Sequence, residues 1–151
     1  IRKALPLAED LGIKILLENV WNGFLLSPLE TARYIDELDS KMVGAYFDVG
    51  NAVRFGWPEQ WIRILGPRIK KLDIKEYSRA KQMSEGPRQG FQVALGEGDC
   101  DWPAVRRALA DIDYTAGWAT AELPGGDRHR LADIARRMDN VLGLANADGS
   151  S

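Results

Sequence analysis

Four short β-like runs each end on a carboxylate, and that placement constrains the fold more than any other feature of the chain. The runs are Lys14–Glu18, Gly44–Asp48, Ile69–Asp73 and Trp118–Glu122, each followed by a loop and then a helical pattern. With an opening helix over Leu5, Leu7 and Leu11, strand and helix alternate four times, which predicts parallel βαβ units. In such folds, ligands and catalytic groups gather at the carboxyl ends of the strands.

Strand side chains alternate faces with period 2. Each acid therefore shares a face with the residues two and four before it: Leu16 and Lys14, Tyr46 and Gly44, Lys71 and Ile69, Thr120 and Trp118. The other face carries Ile15, Leu17, Ala45, Phe47, Leu72, Ile74, Ala119 and Ala121, apolar as expected beneath helices. Glu18, Asp48, Asp73 and Glu122 are thus expected to point into one shared space. Taken singly, each could be a solvated acid at a loop entrance; their matching parity argues against that for the set.

Helix starts are marked by prolines. Ser27-Pro28-Leu29-Glu30 offers an N-cap, a first-turn proline and a capping-box glutamate, and the helix should run to about Leu38. Trp57-Pro58-Glu59 opens a second helix, stopped by Gly66 and Pro67. Asp101-Trp102-Pro103 begins a third, and Asp127 caps a fourth that carries Leu131, Ile134, Met138 and Val141 on one face.

The acids are spaced 30 residues from Glu18 to Asp48 and 25 from Asp48 to Asp73. That is close to the roughly 30 residues of one (β/α)8 barrel unit. From Asp73 to Glu122 the spacing is 49, so a long loop near Tyr77 to Asp101 is expected to cover substrate. A flavodoxin-like open sheet competes, but no glycine-rich phosphate loop follows the first strand. The fold expected is α/β, four parallel βα units over residues 1–145 forming the second half of a TIM barrel, with a disordered tail at 146–151.

Four carboxylates in one cleft cannot all stay ionised without a cation or protonation. With no histidine or cysteine in the set, Mn2+ or Mg2+ suits the oxygens better than tetrahedral zinc. The single His129 falls in the last helical pattern and reads as a surface residue. A metal flanked by glutamates suits proton abstraction next to a carbonyl: the ion stabilises an enediolate while one carboxylate takes the proton and another returns it. Lys75 shares the face of Asp73 and could steady the developing oxyanion, or be a solvated loop lysine.

Leu17-Glu18-Asn19, Phe47-Asp48-Val49-Gly50-Asn51, Lys71-Leu72-Asp73-Ile74-Lys75-Glu76, Gly96-Glu97-Gly98-Asp99-Cys100-Asp101-Trp102 and Ala121-Glu122 together resemble the xylose-isomerase-like superfamily of TIM barrels. Within it, sugar isomerases and 3-epimerases of the tagatose epimerase and hydroxypyruvate isomerase kind match best. The likeness spans nearly the whole chain but only strands five to eight of that fold. It implies that Glu18, Asp48 and Glu122 are metal ligands, and that Glu18 and Glu122 shuttle protons on opposite faces of a sugar substrate. It further implies that Asn51 and Arg79 touch substrate. Asp73 departs from the pattern, since the epimerases usually place a histidine ligand there.

A non-catalytic fragment of such a barrel is the alternative reading. A phosphodiesterase relative is another, which the one histidine and the net charge of −2 argue against. That charge gives no reason to expect nucleic acid or an anionic membrane. A lone Cys100 and the lack of a long apolar run fit a cytoplasmic location. The chain opens on Ile1 within a helical pattern, as a piece of something longer or a processed form would. A half barrel leaves two open strand edges, so a homo-oligomer or a missing N-terminal half-barrel is the expected partner.

Overall fold

The computed structural model describes residues 1–115 and 117–144; the tail expected at 146–151 lies outside them. One four-stranded parallel sheet runs β1 (Ile15–Glu18), β2 (Val43–Asp48), β3 (Ile69–Ile74), β4 (Trp118–Ala121), with spatial order equal to chain order. Helices flank and connect the strands. These are α1 (Leu5–Leu11), α2 (Pro28–Leu38), α3 (Val49–Val53), α4 (Pro58–Leu65), α5 (Arg79–Glu85), α6 (Trp102–Asp111) and α7 (Arg128–Leu142). Sequential parallel strands with crossover helices make this an α/β chain with the architecture of part of a TIM barrel.

One face of the sheet carries the core. Ala45, Phe47, Leu72 and Ile74 are buried beneath Ile35 and Leu38 of α2, Trp61, Ile62 and Leu65 of α4, and Val105 and Ala108 of α6. Phe47 and Trp61 stack with centroids 5.9 Å apart. Fully burying a side chain of this size stabilises by about 1.5–3 kcal/mol, so this layer fixes which face the acids must take.

Three local expectations need correction. Strict alternation puts Ile69 on the acids' face, yet it is buried in the helix-side core. The cause is a register shift in which Ala45 pairs with Ile69 but Tyr46 with Lys71, so Lys70 is the extra residue of a bulge. Ser27 stands at the N-cap of α2 without a side-chain bond, so no capping box forms. Instead Thr31 Oγ1 donates to the carbonyl oxygens of Ser27 and Leu25. Ala119 is exposed rather than helix-covered; α7 packs on α6.

The Asp101 and Asp127 caps form as the sequence indicates, accepting from Ala104 N and Arg130 N. The long loop also contains structure of its own: α5 and a 3-10 turn over Pro87–Phe91. His129 is exposed, as expected. Among the described residues, no helix is long and apolar enough to cross a membrane.

Candidate metal centre

The four strand-end acids converge. Glu18, Asp48, Asp73 and Glu122 each offer one carboxylate oxygen, and these oxygens lie within 4.8 Å of one another. The strands are staggered: Glu18 is level with Tyr46, Asp48 with Asp73, and Ala121 with Ile74. Glu18 thus reaches up from the first outer strand and Glu122 reaches back from the last. The longer glutamates stand at the edges and the shorter aspartates at the centre, which lets one point be served from four strands.

Asp48 is the buried heart of the group, with a relative exposure of 0%. Its Oδ1 accepts from the backbone N–H of Asn51 at 2.7 Å, which makes it the N-cap of α3. Its Oδ2 is buried and accepts no hydrogen bond. Lys75 Nζ lies 2.9 Å from that oxygen and 2.8 Å from Glu122 Oε2, and only the second contact has hydrogen-bond alignment. Toward Asp48 the ammonium therefore supplies charge more than a directed bond. Lys75 is thus no solvated loop residue; it belongs to the cluster.

Burial pushes the Asp48 carboxyl up to about 8, against the opposing pull of Lys75 and the Asn51 N–H. Burial, then the charges of Glu122 and Asp73, raises Glu18 above its ordinary value. Burial also pushes Glu122 upward, but hydrogen bonds with Lys75 and Asp48 outweigh it and hold that carboxyl low. Lys75 is pulled down by burial yet carried above its usual value, first by the Asp48 charge. Tyr46 donates its hydroxyl to Asp73 Oδ1, and Lys71 Nζ lies 4.2 Å from the Tyr46 ring centroid.

Sequence reasoning passed over two supporting residues. The Asn19 side chain donates to the Asp48 carbonyl at 2.9 Å and accepts from the Asp48 N–H at 2.7 Å. It thereby continues the β1–β2 ladder with an amide that imitates backbone and fixes Asp48 in place. Glu76, 1% exposed, accepts four bonds: Tyr77 N and Cys100 N at Oε1, Gly96 N and Trp102 Nε1 at Oε2. It ties the loop of residues 96–102 to the strand end that carries Asp73 and Lys75. A Cβ at Gly98 would stand 2.6 Å from Glu76 Cγ, so only glycine leaves room for this clamp.

Asn51 is buried beside Asp48, its carbonyl accepting from Trp21 Nε1. Trp21 stacks on Phe91 with centroids 4.8 Å apart, and Lys75 Nζ lies 4.9 Å from the Phe91 ring, giving the cluster an aromatic wall. Arg79 is the first residue of α5. Its Nε donates to Val53 O and its Nη2 to Gly56 O, bracing the segment between α3 and α4.

The sequence profile of the xylose isomerase-like TIM barrel family matches residues 1–141. The chain belongs to that family. An uncharacterized protein of Methanocaldococcus jannaschii is 37% identical over 118 residues, covering 76% of this chain and 38% of its own. A solved D-tagatose 3-epimerase-like protein superposes with TM-score 0.70 at 23% identity, over 98% of this chain and 54% of that one. A xylose isomerase-like TIM barrel protein from Mycobacterium smegmatis, solved in complex with magnesium, gives TM-score 0.69 at 24% identity, over 97% and 48%. This member of the xylose isomerase-like family thus spans about half the length of its solved relatives and less of the Methanocaldococcus protein.

Proposed function

We propose that the assembled protein is a metal-dependent sugar isomerase or epimerase, moving a proton next to the carbonyl of a ketose or small hydroxy-carbonyl compound. The observation that carries this reading is the convergence of Glu18, Asp48, Asp73 and Glu122 around the buried Asp48 Oδ2, which no aligned hydrogen bond occupies. An all-oxygen donor set fits a hard ion, Mn2+ or Mg2+, held by these four residues. When bound, the ion supplies Lewis-acid polarisation of a substrate carbonyl.

The chain's own residues supply the rest. Glu18 and Glu122 approach from the two outer strands, where one can take a proton from the substrate carbon and the other return it. In the metal-free protein their environments differ: burial and neighbouring acids hold Glu18 up, while Lys75 helps hold Glu122 down. Asn51 and Lys75 border the cluster as substrate contacts, and Arg79 contributes through the N–H groups not used on Val53 and Gly56. A D-tagatose 3-epimerase-like relative and a magnesium-bound relative of the same fold support the reading.

The test is ketose interconversion by the assembled barrel with and without added Mn2+. Metal-stimulated turnover is expected; a protein that binds Mn2+ yet turns over no ketose would leave only a binding role.

The ion should bind less tightly in acid. Asp48 holds its proton below about 8, so an incoming cation must displace it. As pH falls below that value, affinity should drop by about tenfold per unit for each proton released. Titration calorimetry in buffers of differing ionisation enthalpy counts that proton. An affinity flat between neutral and alkaline pH would contradict the assignment.

The open edges of β1 and β4 are proposed to pair with the remainder of a barrel, supplied by an N-terminal half or by a second copy. Trp118, 78% exposed at the inner edge, would then be covered. Amide exchange is expected to be slow in β1 and β4 of the assembled protein. Fast exchange confined to those two strands would show that they stay open.

A further inference from the structure

Lys75 touches the same oxygens that a divalent ion would use. Its Nζ lies 2.9 Å from Asp48 Oδ2 and 2.8 Å from Glu122 Oε2, and its side chain is 12% exposed. Both partners are among the four residues whose oxygens gather within 4.8 Å. The Asp48 contact lacks hydrogen-bond alignment, so Oδ2 keeps its lone pairs available. Two cations on one pair of carboxylates repel strongly in a partly buried site. The lysine and the ion cannot both hold Asp48 and Glu122 as Lys75 now does.

The surroundings give the lysine a path. A Cβ at position 50 would stand 2.5 Å from Lys75 Cγ, so Gly50 makes the space through which the stem runs. The Phe91 ring, already 4.9 Å from Nζ, offers its face to the ammonium in an outward position.

We propose that Lys75 is an exchangeable counter-ion of the metal centre. It bridges Asp48 and Glu122 in the metal-free protein, balancing the charge of that pair, and withdraws along the Phe91 face when a divalent ion takes those oxygens. Lys75 then sets the affinity for the ion by competing with it. It also delivers a positive charge to the substrate side of the cluster only once the metal is held. This inference rests on the metal-dependent reading above.

The test needs no mutation at first. The intact protein is treated with an amine-acylating reagent, with and without Mg2+, and labelling is mapped by peptide mass spectrometry. Lys75 labelling is expected to rise severalfold with Mg2+, while exposed Lys3 and Lys41 stay constant. In parallel, Mn2+ binding to wild type and Lys75→Gln is measured by electron paramagnetic resonance, and Lys75→Gln is expected to bind about tenfold more tightly. Bound Mn2+ with unchanged Lys75 labelling, or a Lys75→Gln protein that binds Mn2+ no better, would overturn the counter-ion role alone. Failure of both proteins to bind Mn2+ would overturn the metal reading itself.

Discussion

Glu18→Gln and Glu122→Gln are each expected to abolish exchange of the substrate's α-proton with solvent in the assembled barrel. Each substitution keeps the side chain's size and its place at the strand end but removes the group that takes or returns a proton. A positioned general acid or base contributes about 10^2- to 10^4-fold, so the residual rate should fall by at least that range. The two variants should differ in stability. Glu122 carries the aligned bond from Lys75, which a neutral amide there would weaken, whereas Glu18 is raised by burial and like charges that an amide relieves. Deuterium incorporation into a ketose, followed by NMR, reads the effect. Wild-type exchange in either variant would assign the proton to another group.

Glu76→Gln is expected to be the most destabilising single change near the site. The carboxylate serves four donors, two at each oxygen. An amide must turn its NH2 toward one pair, so two hydrogen bonds become donor–donor contacts in a position 1% exposed. Buried groups left in that state cost about 3–5 kcal/mol, a large share of the roughly 5–15 kcal/mol that holds a domain together. Gly98→Ala attacks the same clamp from the other side, its Cβ meeting Glu76 Cγ at 2.6 Å and Tyr77 O at 2.6 Å. Because both act on one contact, the double variant should lose less than the two single losses combined. Denaturant unfolding followed by circular dichroism measures all three. A loss under about 1 kcal/mol for Glu76→Gln would show that the loop of residues 96–102 is held by something else.

The sheet and its acids were legible because both rest on short-range rules. Period-2 alternation put Phe47 and Leu72 in the core, and the same parity aimed Asp48 and Asp73 the other way. The rule failed at Ile69, where one extra residue at Lys70 reverses the face and no local pattern announces a bulge. Helix α5 was missed for a related reason. It buries none of its residues, so Arg79–Glu85 shows no apolar stripe. The roles of Asn19 and Glu76 depend on partners 29 and 20 to 26 residues away, which spacing alone does not pair. The one available signal was chemical. An asparagine directly after a strand-end acid can imitate a backbone amide, and Gly96 and Gly98 leave space for a buried side chain to approach.

The central claim is that the four strand-end carboxylates hold one divalent ion, and diffraction from Mn2+-soaked crystals at the manganese absorption edge tests it most directly. A single anomalous peak is expected between Glu18 and Glu122, at about 2.0–2.3 Å from oxygens of Asp48 and Asp73 as well. The same soak of Asp48→Asn should lose it. No peak at saturating Mn2+, or one away from these four side chains, would contradict the account.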